Sequence, residues 1–274
     1  MRLSRPPKAA LTPFIDLLWV SDGEAVANPS RTIKELVLPT GATHLVFRLG
    51  ETPLKIYSAP DDITGQTVGT SVIGGPRARP YIKDITTPEP TVGVLLRPGA
   101  AKLIFGVPAN ELAGKHTKIE DIWSPTQLGE IRSRLLEKPQ LEQRLAVIED
   151  VLMARLPRMR GLNPLIIHAL DNFRLSVPVG EVARQSGYSH RYFSWIFTEA
   201  VGLSPKKYCR VLRFGRVLDR MQREPGIGWG DLAYAEGYAD QAHMTREFRE
   251  FAALSPGDYR KAVPSAPRHV PLSQ

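Results

Sequence analysis

The chain has one cysteine, Cys209, in 274 residues, which excludes an internal disulfide and any cysteine-only metal site. Cys209 lies beside Tyr208 and Leu212 at helical spacing, a packing position rather than a reactive one. No apolar run approaches the ~18 residues of a membrane-spanning helix. The basic opening, Met1 to Lys8, is not followed by an uninterrupted apolar core, so no secretory leader is expected. Histidine is sparse, and neither His44 nor His116 has a second histidine two or four residues away, so metal-ligand spacing is missing. No Gly-x-Ser-x-Gly elbow occurs. Gly74-Gly75-Pro76-Arg77 lacks the Lys-Ser/Thr of a phosphate loop and reads as a turn. These absences leave catalysis without a constellation. A cytoplasmic protein is expected, with no enzymatic activity, no cofactor, no metal and no membrane partner.

What is present has the composition of an ordinary globular protein, 42% hydrophobic and 23% charged, with length enough for two cores. The net charge of +8 fits a polyanionic partner, yet residues 164–262 carry only +3 of it, 14 basic side chains against 11 acidic. Bulk charge therefore decides little. A repeat decides more. Val182-Ala183, Gly187-Tyr188-Ser189, Phe193, Phe197, Leu203-Ser204-Pro205 and Tyr208 recur as Leu232-Ala233, Gly237-Tyr238-Ala239, Met244, Phe248, Leu254-Ser255-Pro256 and Tyr259. The offset is 50 residues at the Gly-Tyr pair and 51 from the phenylalanine onward. Self-similarity of this kind marks a duplicated structural unit.

Each copy spells a helix, a glycine turn and a second helix. In the first, Val179, Val182 and Ala183 share one face and Gly187 ends the helix. Ser189 is a good N-cap for the helix that follows, which places Phe193 and Phe197 one turn apart and inward. In the second copy Asp240 takes the cap one residue later, which explains the slip in offset. The units are helix-turn-helix motifs. Such a unit lays its second helix in the major groove, with N-terminal residues at the base edges. His190, Arg191, Ser194 and Trp195 point away from the inward face of the first copy, and Gln241, Ala242, Thr245 and Arg246 from that of the second. Arginine and glutamine have the geometry for bidentate contacts to guanine and adenine. Pro205 to Gln222 reads as one long connecting helix stopped by Glu224-Pro225-Gly226. Its Lys206, Lys207, Arg210, Arg213, Arg216, Arg220 and Arg223 are available for phosphates.

On these residues, and on the closing Ser255-Pro256…Tyr259-Arg260, the region 164–262 resembles the DNA-binding domain of the AraC/XylS family of bacterial transcription regulators. The resemblance implies base contacts by Arg191, Ser194 and Trp195 in the first unit and by Gln241, Ala242, His243 and Arg246 in the second. His190, Lys206, Lys207, Arg210 and Thr245 are placed on phosphates. Two departures stand out. Trp195 occupies a position where arginine is usual, so the first unit's reading rests on Arg191 or on apolar contact with thymine methyls. Ala242 is too short to hydrogen bond.

The N-terminal half reads as mixed β and α. Strands are expected at Pro13–Val20, Glu35–Leu38, Thr43–Leu49, Leu54–Tyr57 and Thr91–Leu96, with a loop over 21–32. Short helices follow Pro98 and Pro108, then longer ones at 125–136 and 140–156. The last is amphipathic through Leu141, Leu145, Ile148 and Leu152, and it either caps the N-terminal core or dimerises. Gly99-Ala100 with Arg97 alongside is either an anion site at a helix start or a packing contact. Residues 1–12 are expected to be a disordered lead and 263–274, with three prolines, a disordered tail. The elements Phe14…Trp19, Leu38-Pro39-Thr40-Gly41, Gly74-Gly75-Pro76-Arg77, Arg97-Pro98-Gly99-Ala100 and Gly106-Val107-Pro108 resemble a sensor-type domain found ahead of AraC-like domains.

The expected architecture is an α+β domain over 10–156, a linker over 157–163, and an all-α domain over 164–262 with two helix-turn-helix motifs joined by a long helix. The expected function is sequence-specific transcription regulation through duplex DNA. An unknown small-molecule effector, RNA polymerase and a second copy of the chain are the further partners this reading admits.

Overall fold

The computed structural model describes residues 2–23, 32–156, 161–262, 266 and 268–272. Its strands are β1 (Arg2–Arg5), β2 (Ile15–Ser21), β3 (Lys34–Val37), β4 (Thr43–Arg48), β5 (Leu54–Tyr57), β6 (Gln66–Gly69), β7 (Ser71–Gly74), β8 (Tyr81–Asp84), β9 (Thr91–Leu96), β10 (His116–Lys118) and β11 (His269–Leu272). They form two antiparallel sheets, ordered β1-β2-β9-β4-β7-β10 and β11-β3-β8-β5-β6. The helices are α1 (Ala101–Phe105), α2 (Ala109–Leu112), α3 (Pro125–Leu136), α4 (Leu141–Met153), α5 (Pro164–Arg174), α6 (Val179–Gln185), α7 (His190–Val201), α8 (Pro205–Arg223), α9 (Trp229–Ala235), α10 (Gln241–Ala252) and α11 (Pro256–Lys261).

Period-two alternation sets the first sheet's faces. Thr43, Leu45 and Phe47 of β4 are buried while His44, Val46 and Arg48 are half-buried. With Leu18 and Val20 of β2 and Val92, Val94 and Leu96 of β9, Leu45 and Phe47 form one core under α1 to α4. The apolar stripe Leu141, Leu145, Ile148 and Leu152 of α4 is buried in it, so that helix caps the N-terminal core. Across the sheet Trp19 lies over Gly93, where an added Cβ would stand 2.0 Å from the indole.

The lead and the tail depart from expectation. Residues 2–5 pair with β2, and Leu11 is fully buried. What fixes the lead is a carboxylate far along the chain. Glu149 of α4, itself fully buried, accepts from Arg5 Nη1 and Nη2 at 3.0 and 2.8 Å and from the Lys8 backbone N–H at 2.7 Å. The tail, read as unstructured for its prolines, contains β11, which pairs with β3 from His269↔Val37 to Leu272↔Lys34. Pro271 is tolerated because β11 is an edge strand, where a missing N–H disturbs no inner ladder. Residues 263–265, 267, 273 and 274 of the tail, like residues 157–160 of the expected linker and most of the 21–32 loop, lie outside the described residues.

The two halves share a core. Leu36, Leu38, Tyr57 and Ile82 of the second sheet and its β3–β4 connection, with Val270 of β11, pack with Val211, Phe214, Val217 and Leu218 of α8 and with Phe248 and Phe251 of α10. A third cluster joins α5, α6 and α7 to Tyr208 around Phe173, Phe193 and Phe197. The first sheet's helices also touch the helical region. Lys102 of α1 is 2.6 Å from Glu199 of α7. Gly202, in left-handed conformation at the end of α7, lies so close to Pro76 and the Ala109 carbonyl that a Cβ would stand at 2.3 and 2.8 Å.

Candidate nucleic-acid interface

Both glycine turns form as the repeat requires. Gly187 and Gly237 have φ of 72° and 71°, a conformation that a Cβ would disfavour. Ser189 Oγ accepts from the Tyr192 N–H at 3.3 Å, and Asp240 Oδ1 from the His243 N–H at 2.6 Å. These caps satisfy orphan donors at the start of each second helix and aim its first turn outward. Val182 and Ala183 pack with Phe193 and Phe197, and Leu232 and Ala233 with Met244 and Phe248. The repeated Ser-Pro pairs work alike: Ser204 and Ser255 cap α8 and α11 through N–H groups three residues on.

The residues expected at base edges divide by exposure. Arg191 and Trp195 on α7 and Gln241, Ala242 and Arg246 on α10 are exposed, as is His190. Ser194, His243 and Thr245 are half-buried, and the His243 ring stands edge-on to Tyr238 at 5.3 Å. Arg191 and Arg246 make no ion pair among the described residues. Lys206 is also exposed and unpaired among them.

The other expected phosphate cations are engaged. Lys207 Nζ is 2.9 Å from Glu250, and Arg210 holds both Glu250 and, at 2.7 Å, Glu247. Arg213 donates through Nη2 to both oxygens of Glu247 at 3.1 and 2.9 Å. Arg216 and Arg220 close on Glu236 at 3.2 and 2.7 Å. The cationic stripe of α8 thus lies along acidic groups of α10 and the α9–α10 turn, locking the connector to the second unit. Only Lys206 and Arg223 of that stripe keep their ammonium or guanidinium out of a carboxylate among the described residues. Glu247 also accepts from Tyr238 Oη at 2.9 Å. Burial pushes its carboxyl up, but Arg213 and Arg210 outweigh that, and its pKa falls below the ordinary carboxylate value.

Between the units runs a cleft of about 900 Å³, walled by Val177, Pro178 and Val179 before and in α6, by Lys206, Cys209 and Arg213 of α8, and by Gly237 and His243. Cys209 belongs to this wall as a packing residue, its thiol pushed up to about 11 by burial.

One feature of the surface escaped sequence reasoning. Tyr188 in the turn before α7 and Tyr192 and Trp195 on it form an exposed aromatic ladder, with centroids 5.1 and 5.8 Å apart and the last two rings stacked. Their spacing of four and three is the helical signal that reveals it. At the N-terminal half, the Gly99-Ala100 alternative resolves to packing: Gly99 lies under Ile166 and Leu162, and Arg97 is 3.1 Å from Asp16. Among the described residues no group of three or more histidine, cysteine or acidic side chains is arranged to hold a metal, and no helix is long and apolar enough to cross a membrane.

Comparison with known proteins accords with this geometry. Residues 182–262 match a family described as a helix-turn-helix domain, and residues 3–118 match a domain of unknown function (DUF6597). No curated protein matches. Among solved structures, the C-terminal domain of AraT, a response regulator from Geobacillus stearothermophilus, is 18% identical over 36% of this chain and 85% of its own, with a TM-score of 0.34. ToxT from Vibrio cholerae O395 is 9% identical over 86% of this chain and 98% of its own, with a TM-score of 0.45. ToxT of strain SCE256 with unsaturated fatty acid bound is 10% identical over 94% of this chain and 93% of its own, with a TM-score of 0.39. Likeness at this level bears on no ligand, and the assignment rests on the duplicated unit and its family match. Residues 182–262 thus belong to the helix-turn-helix domain family and resemble the DNA-binding domain of AraC-family transcription regulators.

Proposed function

We propose that the chain binds a specific duplex site by inserting α7 and α10 into successive major grooves, and that its N-terminal half adjusts this binding in response to a small molecule. The observation that carries the DNA reading is the pairing of two capped second helices, each presenting an unpaired arginine, on one connector held by carboxylates. The connector has 19 residues and spans about 28 Å at ~1.5 Å per residue, the scale of the ~34 Å that separates successive major-groove sites on one face of B-DNA. Arg191, Ser194 and Trp195 read the first block, and Gln241, Ala242, His243 and Arg246 the second. His190, Lys206 and Thr245 hold phosphates. Lys207 and Arg210 join them only by exchanging a carboxylate for a phosphate.

Selection of binding sites from random duplex DNA by the full-length protein, at about 150 mM salt to suppress non-specific binding, tests the reading. Two enriched blocks about one helical turn apart are expected. Arg246→Ala is expected to weaken specific binding by roughly 1–3 kcal/mol and to relax preference at one or two base pairs of the second block. No enrichment with or without added effector, or a variant that weakens every sequence equally, contradicts the assignment. Self-association and contact with RNA polymerase are further elements of the proposal. A selected site with two copies of the motif supports the first, and footprinting with polymerase tests the second.

A further inference from the structure

The second large cleft of the molecule lies away from the DNA-facing helices. It has a volume of about 970 Å³ and opens where the edge strands β6 and β10 of the two sheets meet, with Leu203, just after α7, forming part of its wall. Four of its side chains are cationic, Arg77, Arg79, Lys115 and Lys118, against one acid, Asp121. Such an excess on open surface is unremarkable. Arg77 is different, because it is half-buried and has no carboxylate partner among the described residues.

The placement of Arg77 is fixed. Its guanidinium stacks over Tyr81, 4.4 Å from the ring centroid, and donates through Nη2 to the Lys115 carbonyl at 2.7 Å and through Nε to the Gly75 carbonyl at 3.3 Å. Nη1 is left with no hydrogen-bond partner among the described residues. Burial pushes the guanidinium below its ordinary pKa, and only Tyr81 offsets this. A cation withdrawn from water is costly unless paired. Carbonyl dipoles and a ring face reduce that cost without supplying the missing negative charge. His116 lies on the other side, its ring edge-on to Tyr81 at 4.5 Å and its Nδ1 3.5 Å from Arg77 Nη2. Burial, then Arg77, hold that imidazole neutral, with its pKa down at about 3. With Nδ1 facing the Arg77 donor, the tautomer that fits carries its proton on Nε2 and offers it as a second donor. A preoriented guanidinium and a neutral imidazole N–H are a donor pair for an anionic oxygen.

The rest of the wall is mixed, with Ile56, Val68, Pro76 and Leu203 supplying apolar surface beside Gln66, Thr67 and Thr117. A volume of this size is that of a site for a whole small molecule rather than an inorganic ion.

We infer that this cleft is the effector site, and that it takes a small organic acid whose anionic head pairs with Arg77 and whose apolar body lies against Ile56, Val68 and Leu203. The inference rests on the reading of the N-terminal half as effector-responsive and gives that half its ligand class. It also supplies the route to DNA. Leu203 joins α7 to α8, and Gly202 beside it is packed without clearance on Pro76, the residue before Arg77. An acid that closes the cleft on Leu203 bears directly on the corner that orients the first recognition helix.

Calorimetry and thermal melting of the full-length protein with four probes test this: phenylacetate, its neutral counterpart 2-phenylethanol, phenyl phosphate and inorganic phosphate. Phenylacetate or phenyl phosphate is expected to bind and to raise Tm progressively with concentration, and whichever binds more tightly identifies the head group. The neutral alcohol is expected not to bind. Arg77→Met, which keeps the apolar stem, is expected to weaken the acid at least about tenfold, the loss of charge-assisted hydrogen bonding. Its Tm without ligand should stay equal or rise, because an unpaired cation has been removed. A purely structural Arg77 would instead lower that Tm. No binding by either organic acid at millimolar concentration, equal binding by Arg77→Met, or equal binding by the neutral alcohol or by inorganic phosphate overturns the inference. Binding is read without DNA, so its failure is distinct from failure of the operator reading. If the acid binds but leaves site selection unchanged, the cleft is a ligand site and the effector role is overturned.

Discussion

Removing the carboxylate of Glu247 should release α10 from the connector, and the size of the effect follows from the contacts. The side chain is 2% exposed and is the only acid within reach of Arg213 among the described residues, while Arg210 is shared with Glu250. Breaking a buried ion pair from one side costs about 3–5 kcal/mol. The two guanidiniums are 26% and 22% exposed and recover some hydration, so about 2–4 kcal/mol is expected for Glu247→Ala. Glu247→Gln should lose about 1–3 kcal/mol, since it keeps an acceptor for Tyr238 Oη but loses the charge and turns an N–H₂ toward a guanidinium. At ~2–4 °C per kcal/mol for a chain of this order, the alanine variant should melt about 4–16 °C lower. The assay is urea unfolding at pH 7, followed by circular dichroism. A loss below about 0.5 kcal/mol for both variants would refute the reasoning, since surface substitutions alone produce that much. A pH series sharpens the test. The folded carboxyl titrates below its unfolded value, so its contribution is complete above the ordinary carboxylate range of ~4.3 and disappears as pH falls through the folded pKa. The gap between wild type and Glu247→Gln should therefore be constant above about pH 5 and close under acid. A gap unchanged to pH 3 would mean the charge is not its source.

Four other outcomes are expected. Val270→Asp, which puts a charge at a position 1% exposed in the shared core, should cost at least about 3 kcal/mol, and a marginal change would show that β11 contributes little. Glu35 is held down to about 2 because contacts with His269 and Lys83 outweigh its burial. Its contribution should be intact above pH ~4.3 and lost toward pH 2, and Glu35→Gln should flatten that part of the acid limb. With the Cys209 thiol pushed up to about 11, iodoacetamide at pH 8 should alkylate the native chain ~100-fold more slowly than the chain unfolded in urea; equal rates would contradict the burial. Replacing thymidine by deoxyuridine in the first block of a selected site should weaken the wild type by up to about 1 kcal/mol, roughly one buried methyl, and leave Trp195→Ala unaffected. Equal losses would mean that Trp195 does not touch the methyl groups.

The helix-turn-helix units were legible because everything that specifies them is local. A glycine turn, a capping Ser189 or Asp240 and two inward aromatic or methionine positions all lie within some twenty residues of one another. The strands of β4, β5 and β9 were legible for the same reason, through alternation and flanking turns. What was not legible depends on partners remote in sequence. Residues 2–5 look like a lead until Glu149 is placed beside Arg5, and 269–272 look like a tail until β3 offers an edge. The engagement of Lys207 and Arg210 was hidden on the same ground, since Glu247 and Glu250 lie 37 to 43 residues further along the chain. Arg77 was read only as part of a turn, because nothing near it in sequence tells whether a carboxylate will arrive. The Tyr188, Tyr192 and Trp195 ladder is the exception: its spacing is local, and the polar residues interleaved with it give the same face a hydrophilic pattern.

The pairing of β11 with β3 has a consequence for the making of the protein. One edge of strand β3 waits, as the chain is made, for partners that emerge more than 230 residues later. At about 5–20 residues per second, that edge and the apolar side chains of Leu36 and Leu38 beside it stay uncovered for about 12–46 seconds of elongation. The second helix-turn-helix unit clusters with the same leucines through α8 and α10. Closure of the shared core thus waits for β11, which brings Val270 to it.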